Sequence, residues 1–291
     1  MAEQINKKSS GLKRIVIKIG SKVLTDENDQ HNKKVISSLI EDIARVKKKQ
    51  KIDIVLVTSG AVALGRSVNS LGNFKIETSA IKYNKAIIKE QILAAIGQPK
   101  LMAFYIEEFE KYGFNCAQLL ATRAVFADRE AYLSVRTVTE NLLKLNVVPI
   151  FNENDVLSPE ELDFSDNDQL SSMIAAMIVA DQLIILSSVD GVYENINLGA
   201  GAKVVKEILN VDEYAEKVDD SGSLGKGGMK SKFLPAEIVT SLGITMQIAN
   251  GQEKNVIGRI IAGENIGTIF PARGKKTKAI RNWLSTAAVS R

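Results

Sequence analysis

The sequence predicts an α/β protein: a three-layer αβα sandwich with a mostly parallel central sheet. Three observations point there. Apolar runs of five to seven residues recur along the chain, each is followed by a longer stretch of helical spacing, and no Pro- or Ser-rich linker divides the 291 residues. Strands that stay apolar without alternating are buried on both faces, as they are when crossover helices cover a parallel sheet. A chain of this length suffices for one large domain of that kind.

The elements follow in order. Arg14 to Ile19 forms a first strand and Val35 to Lys48 an amphipathic helix, closed by Lys47-Lys48-Lys49 in keeping with the helix dipole. Ile52 to Val57 is a second strand, with a turn and a helix from about Ala61. Lys82 to Tyr112 is helical but interrupted at Gly97-Gln98-Pro99, where glycine and proline break the pattern. Phe114 to Leu120 is a third strand, Glu130 to Leu145 a helix and Val147 to Phe151 a fourth strand. Asn167 to Val179 is a strongly apolar helix and Gln182 to Leu186 a fifth strand. Lys230 to Leu242 and Thr245 to Ile248 add one more helix and strand.

Composition narrows the function. The hydrophobic fraction is 45% and the mean hydropathy is near zero, as for an ordinary soluble protein. No apolar run approaches the ~18 residues of a membrane span, and Met1 to Gly11 lacks the apolar core of a secretory signal. The single Cys116 reads as a buried, inert thiol, so a reducing, cytoplasmic setting is expected. One histidine, His31, excludes a histidine-based metal site and a Ser-His-Asp triad. The net charge of +4 is scattered and aromatics make up 5%, so no nucleic-acid partner is expected.

Four segments carry candidate chemistry. Phe151-Asn152-Glu153-Asn154-Asp155 follows the apolar run Val147 to Ile150, and Asp166-Asn167-Asp168 comes eleven residues later. Amides and carboxylates clustered after a strand lie where open α/β sheets bind ligands, and they suit a zwitterionic small molecule or a metal-bound phosphate. Asx-turn and capping chemistry would also account for them. In Ile15 to Ser21, Lys18 interrupts an apolar strand and would meet an anion at the strand end beside Gly20, or else extend to water. Val57 to Arg66 places Thr58-Ser59-Gly60 between a strand and a helix, as an anion site or as a helix cap formed by Ser59.

The fourth segment, Gly222 to Lys232, is rich in glycine and sets Lys232 in the first turn of a helix. A cation there opposes the helix dipole unless an anion compensates. Neither a Walker A spacing nor a G-x-G-x-x-G element is present. Phosphate handling would therefore rest on glycine loops and two separate lysines, Lys18 and Lys232. Such a site serves phosphoryl transfer, which needs positioning and charge neutralisation, with Mg²⁺ bridging the nucleotide phosphates. A carboxylate acceptor is already ionised at neutral pH, so it would need no general base.

In this order, VIKIGSKVLT, VTSGAVALGR, QILAAIGQ, TRAVFADRE, PIFNENDVL, SDNDQLSS, the DGVY turn, GSLGKGGMKSK and IGTIF resemble the amino acid kinase family, and within it the glutamate-phosphorylating branch. The resemblance runs from about Arg14 to Phe270. It implies ATP and Mg²⁺ as cofactors, L-glutamate as acceptor, proline as feedback inhibitor, a homodimer or homotetramer, and a glutamate-5-phosphate reductase acting next. It also implies roles for particular residues. Lys18 and Lys232 would neutralise phosphate, and Asp168 would organise them as the third catalytic residue. Ser59, Gly60, Asn152, Asp155 and Asn167, with Asp166 beside them, would hold the glutamate. Lys18, Ser187, Ser188, Gly191, Gly225, Gly227, Gly228, Met229 and Lys232 would contact the nucleotide.

The expected layout is a flexible segment 1–12, a kinase domain 13–273 and a basic tail 274–291 without the PUA domain of many bacterial members. Ser187-Ser188 stands where many relatives have Thr-Asp, which removes a carboxylate near the nucleotide. Ser67 to Lys89 is longer than in compact relatives, which would reshape the glutamate lid or a subunit contact. A related carboxylate or carbamate kinase, the kinase part of a bifunctional pyrroline-5-carboxylate synthase, and a non-catalytic amino-acid-sensing module are the alternatives.

Overall fold

The computed structural model describes residues 12–25, 32–68, 85–157, 167–194, 203–217 and 229–274. The expectations about segment 1–11, His31, the loop 69–84, Asp166, Gly225, Gly227, Gly228 and the tail 275–291 lie outside the described residues.

Seven strands form one sheet: β1 (Arg14–Ile19), β2 (Asp53–Val57), β3 (Cys116–Ala121), β4 (Val148–Glu153), β5 (Gln182–Ser187), β6 (Thr245–Asn250) and β7 (Thr268–Phe270). Their order is β3-β4-β2-β1-β5-β6-β7. The first six run parallel, and only β7 pairs antiparallel, with β6. The helices between them are α1 (Ser21–Leu24), α2 (Lys33–Gln50), α3 (Ala61–Arg66), α4 (Lys85–Glu110), α5 (Arg123–Ala127), α6 (Arg129–Lys144), α7 (Asn167–Met177), α8 (Val211–Lys217), α9 (Phe233–Ser241) and α10 (Val256–Ile261). The expected α/β sandwich is what forms.

Strands β1 to β6 divide their side chains between two cores. In β1, Val16 joins Leu170, Ile174 and Ala236 of the α7–α9 layer. Its neighbours Ile15, Ile17 and Ile19 join Ile40, Ile43, Leu101 and Ile257 of the α2–α4–α10 layer. This period of two, with apolar partners on both faces, is why the strand sequences read as unbroken apolar runs. Lys18 has the parity of Val16 and therefore faces the α7–α9 layer.

Three expectations need correction. The break at Gly97-Gln98-Pro99 does not occur, because α4 runs unbroken with Pro99 inside it. Proline withdraws the N–H that would close on Ala95, which ordinarily kinks or ends a helix. Here both halves of α4, through Leu93, Ala94, Leu101, Tyr105 and Phe109, are buried. Gly97 also lies against α3, since a Cβ there would overlap the carbonyl oxygen of Ala61. Tertiary packing thus outweighs the local penalty. Second, Cys116 is only half-buried, because β3 is an edge strand. Burial still raises its thiol to about 11, so it is protonated near neutral pH. Third, β7 and the helices α1, α5, α8 and α10 are elements the sequence pattern did not announce.

Candidate active site

The carboxyl ends of β1, β2, β4, β5 and β6 all open on the same edge of the sheet. From β1 the chain first places β2 on one side and later β5 on the other. Lys18 thus lies at the end of the strand where the winding reverses, the place where such sheets bind ligands. Its Nζ is 2.6 Å from Oδ1 of Asp168. Lys232 closes a 3₁₀ turn, Met229–Lys232, and precedes α9. Its Nζ is 3.0 Å from Oδ2 of the same carboxylate.

All three residues are buried: Lys18 is 4%, Asp168 0% and Lys232 6% exposed. Charges that are paired keep a burial that an isolated charge could not. The unfavourable position of Lys232 at a helix start is met, in the first place, by this internal carboxylate. The three groups together sum to one positive charge. Beside them Gly20 keeps space open, since a Cβ at that position would sit 3.8 Å from Nζ of Lys18 and 3.1 Å from the carbonyl oxygen of Leu186. A polyphosphate fits that combination of two ammonium groups and an unfilled backbone turn.

A chain of amides leads away from Asp168 to the opposite layer. Nδ2 of Asn167 donates to the Thr58 carbonyl at 2.9 Å, to Ser59 Oγ at 2.8 Å and to Asn152 Oδ1 at 3.2 Å. Asn152 in turn donates to Gln98 Oε1 on α4 at 2.7 Å. Below the turn, Tyr105 and Thr58 share a hydrogen bond of 2.8 Å between their hydroxyls. Gly60, not Ser59, is the residue capping α3, with φ of 96°. That left-handed conformation favours glycine and leaves the Ser59 hydroxyl to Asn167.

A family model described as "Amino acid kinase family" matches residues 13–250. The chain belongs to the amino acid kinase family.

This amino acid kinase is 36% identical to a glutamate 5-kinase of Caldanaerobacter subterraneus subsp. tengcongensis, over 94% of the chain and 71% of that protein. It is 38% identical to one from Chlorobaculum tepidum, over 94% of the chain and 73% of the relative. It is 40% identical to one from Lactiplantibacillus plantarum, over 89% and 96%. Among solved structures, a UMP kinase from Bacillus anthracis superposes with a TM-score of 0.58 at 16% identity, covering 90% of the chain and 97% of that structure. At that identity the likeness concerns the fold.

The remaining candidate residues of the kinase divide into two groups. Asp155 lies with Gln98, Gln118, Glu153 and Asn154 around a cavity of about 220 Å³ between α4 and the β3–β4 edge. Burial, then the nearby Glu90, raises its carboxyl from 3.8 to about 6. A carboxylate held so far above its usual range accepts a cation readily, and an ammonium group suits it. Ser187 ends β5, Ser188 and Gly191 follow it, and Met229 packs at the rim of the α7–α9 core. Gly191 fits against β7 so closely that a Cβ would meet Thr268 Oγ1 at 2.7 Å.

Several residues here escaped the sequence reading. Gln98 appeared there only as part of a helix break, although it joins the amide chain to the cavity. Tyr105 lies unmarked within the predicted helix, yet its hydroxyl supports the Thr58–Ser59 turn. Asp190 accepts from Asn250 Nδ2 at 2.9 Å. It therefore returns a carboxylate to the β5–β6 end, two residues beyond Ser188. No sequence spacing signals these partnerships, because each joins segments at least 47 residues apart.

Among the described residues no helix is long and apolar enough to cross a membrane. No group of three or more His, Cys, Asp or Glu side chains among them is placed to hold a metal ion. Mg²⁺ in phosphoryl transfer is held mainly by substrate phosphates with one or two carboxylates, so a site of this kind receives it on the nucleotide.

Proposed function

We propose that this chain is a glutamate 5-kinase, transferring the terminal phosphoryl group of ATP to the side-chain carboxylate of L-glutamate. The observation that carries the reading is the pair of buried lysines, brought from opposite ends of the chain onto Asp168 at the carboxyl edge of the sheet. Relatives bearing that enzyme name at 36–40% identity support it.

In the reaction a glutamate carboxylate oxygen attacks the γ-phosphorus. The new O–P bond forms as the bond to the β-phosphate oxygen breaks, and that electron pair leaves with ADP. No proton moves, so no histidine is needed. Lys18 and Lys232 stabilise charge on the phosphoryl oxygens in transit, and Asp168 holds both ammonium groups in position. Mg²⁺, carried by the nucleotide phosphates, supplies further neutralisation when bound. Ser59 and Gly60 flank the acceptor carboxylate, and Asn152, Asn167 and Asp155 receive the amino-acid end, a role that Asp166 shares on the sequence resemblance alone. Ser187, Ser188, Gly191 and Met229 serve the nucleotide, a role that Gly225, Gly227 and Gly228 share on the sequence resemblance alone.

Finer assignments belong to the same proposal. Proline competes with glutamate at the Asp155 side, the enzyme works in the cytoplasm as a homodimer or homotetramer, and a reductase consumes its acyl phosphate. A kinase domain of 13–273 is supported by Arg273, whose Nε donates to Thr240 Oγ1 at 3.2 Å and whose backbone N–H donates to the Thr240 carbonyl at 2.9 Å.

Acyl-phosphate trapping tests the reading. Protein, Mg-ATP, L-glutamate and hydroxylamine should give glutamate-dependent hydroxamate that falls when proline is added. Lys232→Met should lower turnover by about 10²–10³-fold, as loss of one transition-state charge partner does. Absence of hydroxamate from the wild-type protein would refute the acceptor, and full turnover by Lys232→Met would refute the lysine's role.

A further inference from the structure

The hydrogen bonds of the amide chain have a fixed polarity. The Thr58 carbonyl can only accept, so the atom of Asn167 facing it is the amide nitrogen, and Oδ1 of Asn167 is turned away. The backbone N–H of Glu153 donates to Asn152 Oδ1 at 2.9 Å, so that atom is the oxygen. Asn152 therefore presents its nitrogen to Gln98, and the facing atom of Gln98 must be Oε1. Nothing is left to choice at the far end. Gln98 keeps its Nε2 for something else.

Two orphaned atoms result. Oδ1 of Asn167 and Nε2 of Gln98 are both buried and both lack a hydrogen-bond partner. Gln98 as a whole is 9% exposed. A buried amide group without a partner is unfavourable, so each orphan marks a place for one. One orphan is an acceptor and the other a donor; Gln98 lines the cavity that also holds Asp155, and Asn167 adjoins Gln98 through Asn152. The complement of this set is a molecule offering both an ammonium group and a carboxylate.

We propose that Gln98 is a direct contact of the acceptor amino acid, its Nε2–H donating to the α-carboxylate while Asn167 Oδ1 and Asp155 receive the α-ammonium. This rests on glutamate as the acceptor and adds to it a specificity-determining residue on α4. Gln98 does so from within the helix next to Pro99. The unbroken course of α4 through that proline brings the amide under Asn152 instead of ending in a loop.

Two substitutions separate a substrate contact from mere support of Asn152. Gln98→Glu keeps an acceptor for Asn152 Nδ2 but removes the donor and adds negative charge. Gln98→Leu removes both. Initial rates over a glutamate series should show KM for glutamate raised at least about 10-fold in both variants, the effect of one charge-assisted bond. Their kcat and KM for ATP should stay within about twofold. A near-normal KM in Gln98→Glu, with only Gln98→Leu impaired, would overturn the proposal and leave Gln98 as a support of Asn152. Normal KM in both would overturn it as well. If the buried glutamate prevents folding, Gln98→Asn takes its place, an amide too short to reach the substrate. It should show the same rise, and an unchanged KM would again overturn the proposal. Wild-type hydroxamate formation, run alongside, separates the two failures. Without it the acceptor assignment and this inference fall together. With it, and with unaltered variants, only Gln98 loses its role.

Discussion

Replacing Asp168 with Asn tests whether the two lysines depend on it. The change is nearly isosteric, so packing around α7 is kept and only the charge is removed. At an effective dielectric of about 20, ions at 2.6 and 3.0 Å attract by roughly 6 kcal/mol each. Much of that gross attraction offsets desolvation of side chains only 0–7% exposed. Breaking a buried pair by removing one partner has a net cost of about 3–5 kcal/mol, and that is the expected loss of unfolding free energy. Urea titration followed by circular dichroism measures it directly. Because buried charges are poorly screened, the deficit should persist in 0.5 M salt, whereas a surface ion pair would lose its effect there. Turnover should fall with stability, since the ammonium groups lose their common anchor. A loss below about 1 kcal/mol, or wild-type turnover, would refute the reasoning.

Two further outcomes are expected. The raised carboxyl of Asp155 should make stability pH-dependent. Below about 3.8 it is protonated in both states and contributes nothing; from there to about 6 the unfolded chain ionises first and folding weakens; above about 6 the whole penalty stands. Asp155→Asn should therefore stabilise the ligand-free protein at pH 7 by up to roughly 3 kcal/mol, with no gain at pH 3.5. The same variant should bind glutamate more weakly. Equal gains at both pH values would refute the assignment. Gly97→Ala should destabilise by about 1–3 kcal/mol in urea, because its Cβ would overlap the carbonyl oxygen of Ala61. An ordinary helical glycine would instead gain about 1 kcal/mol, so the sign of the change decides the matter.

Elements whose burial is intrinsic to the chain were legible in advance. The apolar runs at Arg14–Ile19, Val147–Phe151 and Gln182–Leu186 could be placed as strands because both of their faces meet helices. Lys18 stood out because an ammonium group inside such a run requires an anionic partner. The same reasoning marked Lys232, since a cation at a helix start is unfavourable by itself. Short or edge elements were not legible. β7 has three residues and exists only through its pairing with β6. Pro99 obscured α4 because local propensity and tertiary packing point in opposite directions there.

By itself, then, the sequence determined the layering, the strand ends that carry polar residues, and the need for two lysines to find negative charge. Tertiary structure alone decided what answers that need: one carboxylate, Asp168, reached from residues 150 positions before it and 64 after it. It also decided that Gln98, an ordinary polar position on a helix, completes a chain of amides whose polarity is set by backbone groups of distant strands. Residue type and local spacing determine burial and charge, and these can be read along the chain. Hydrogen-bond partners depend on which strand ends meet, and only the folded sheet settles that.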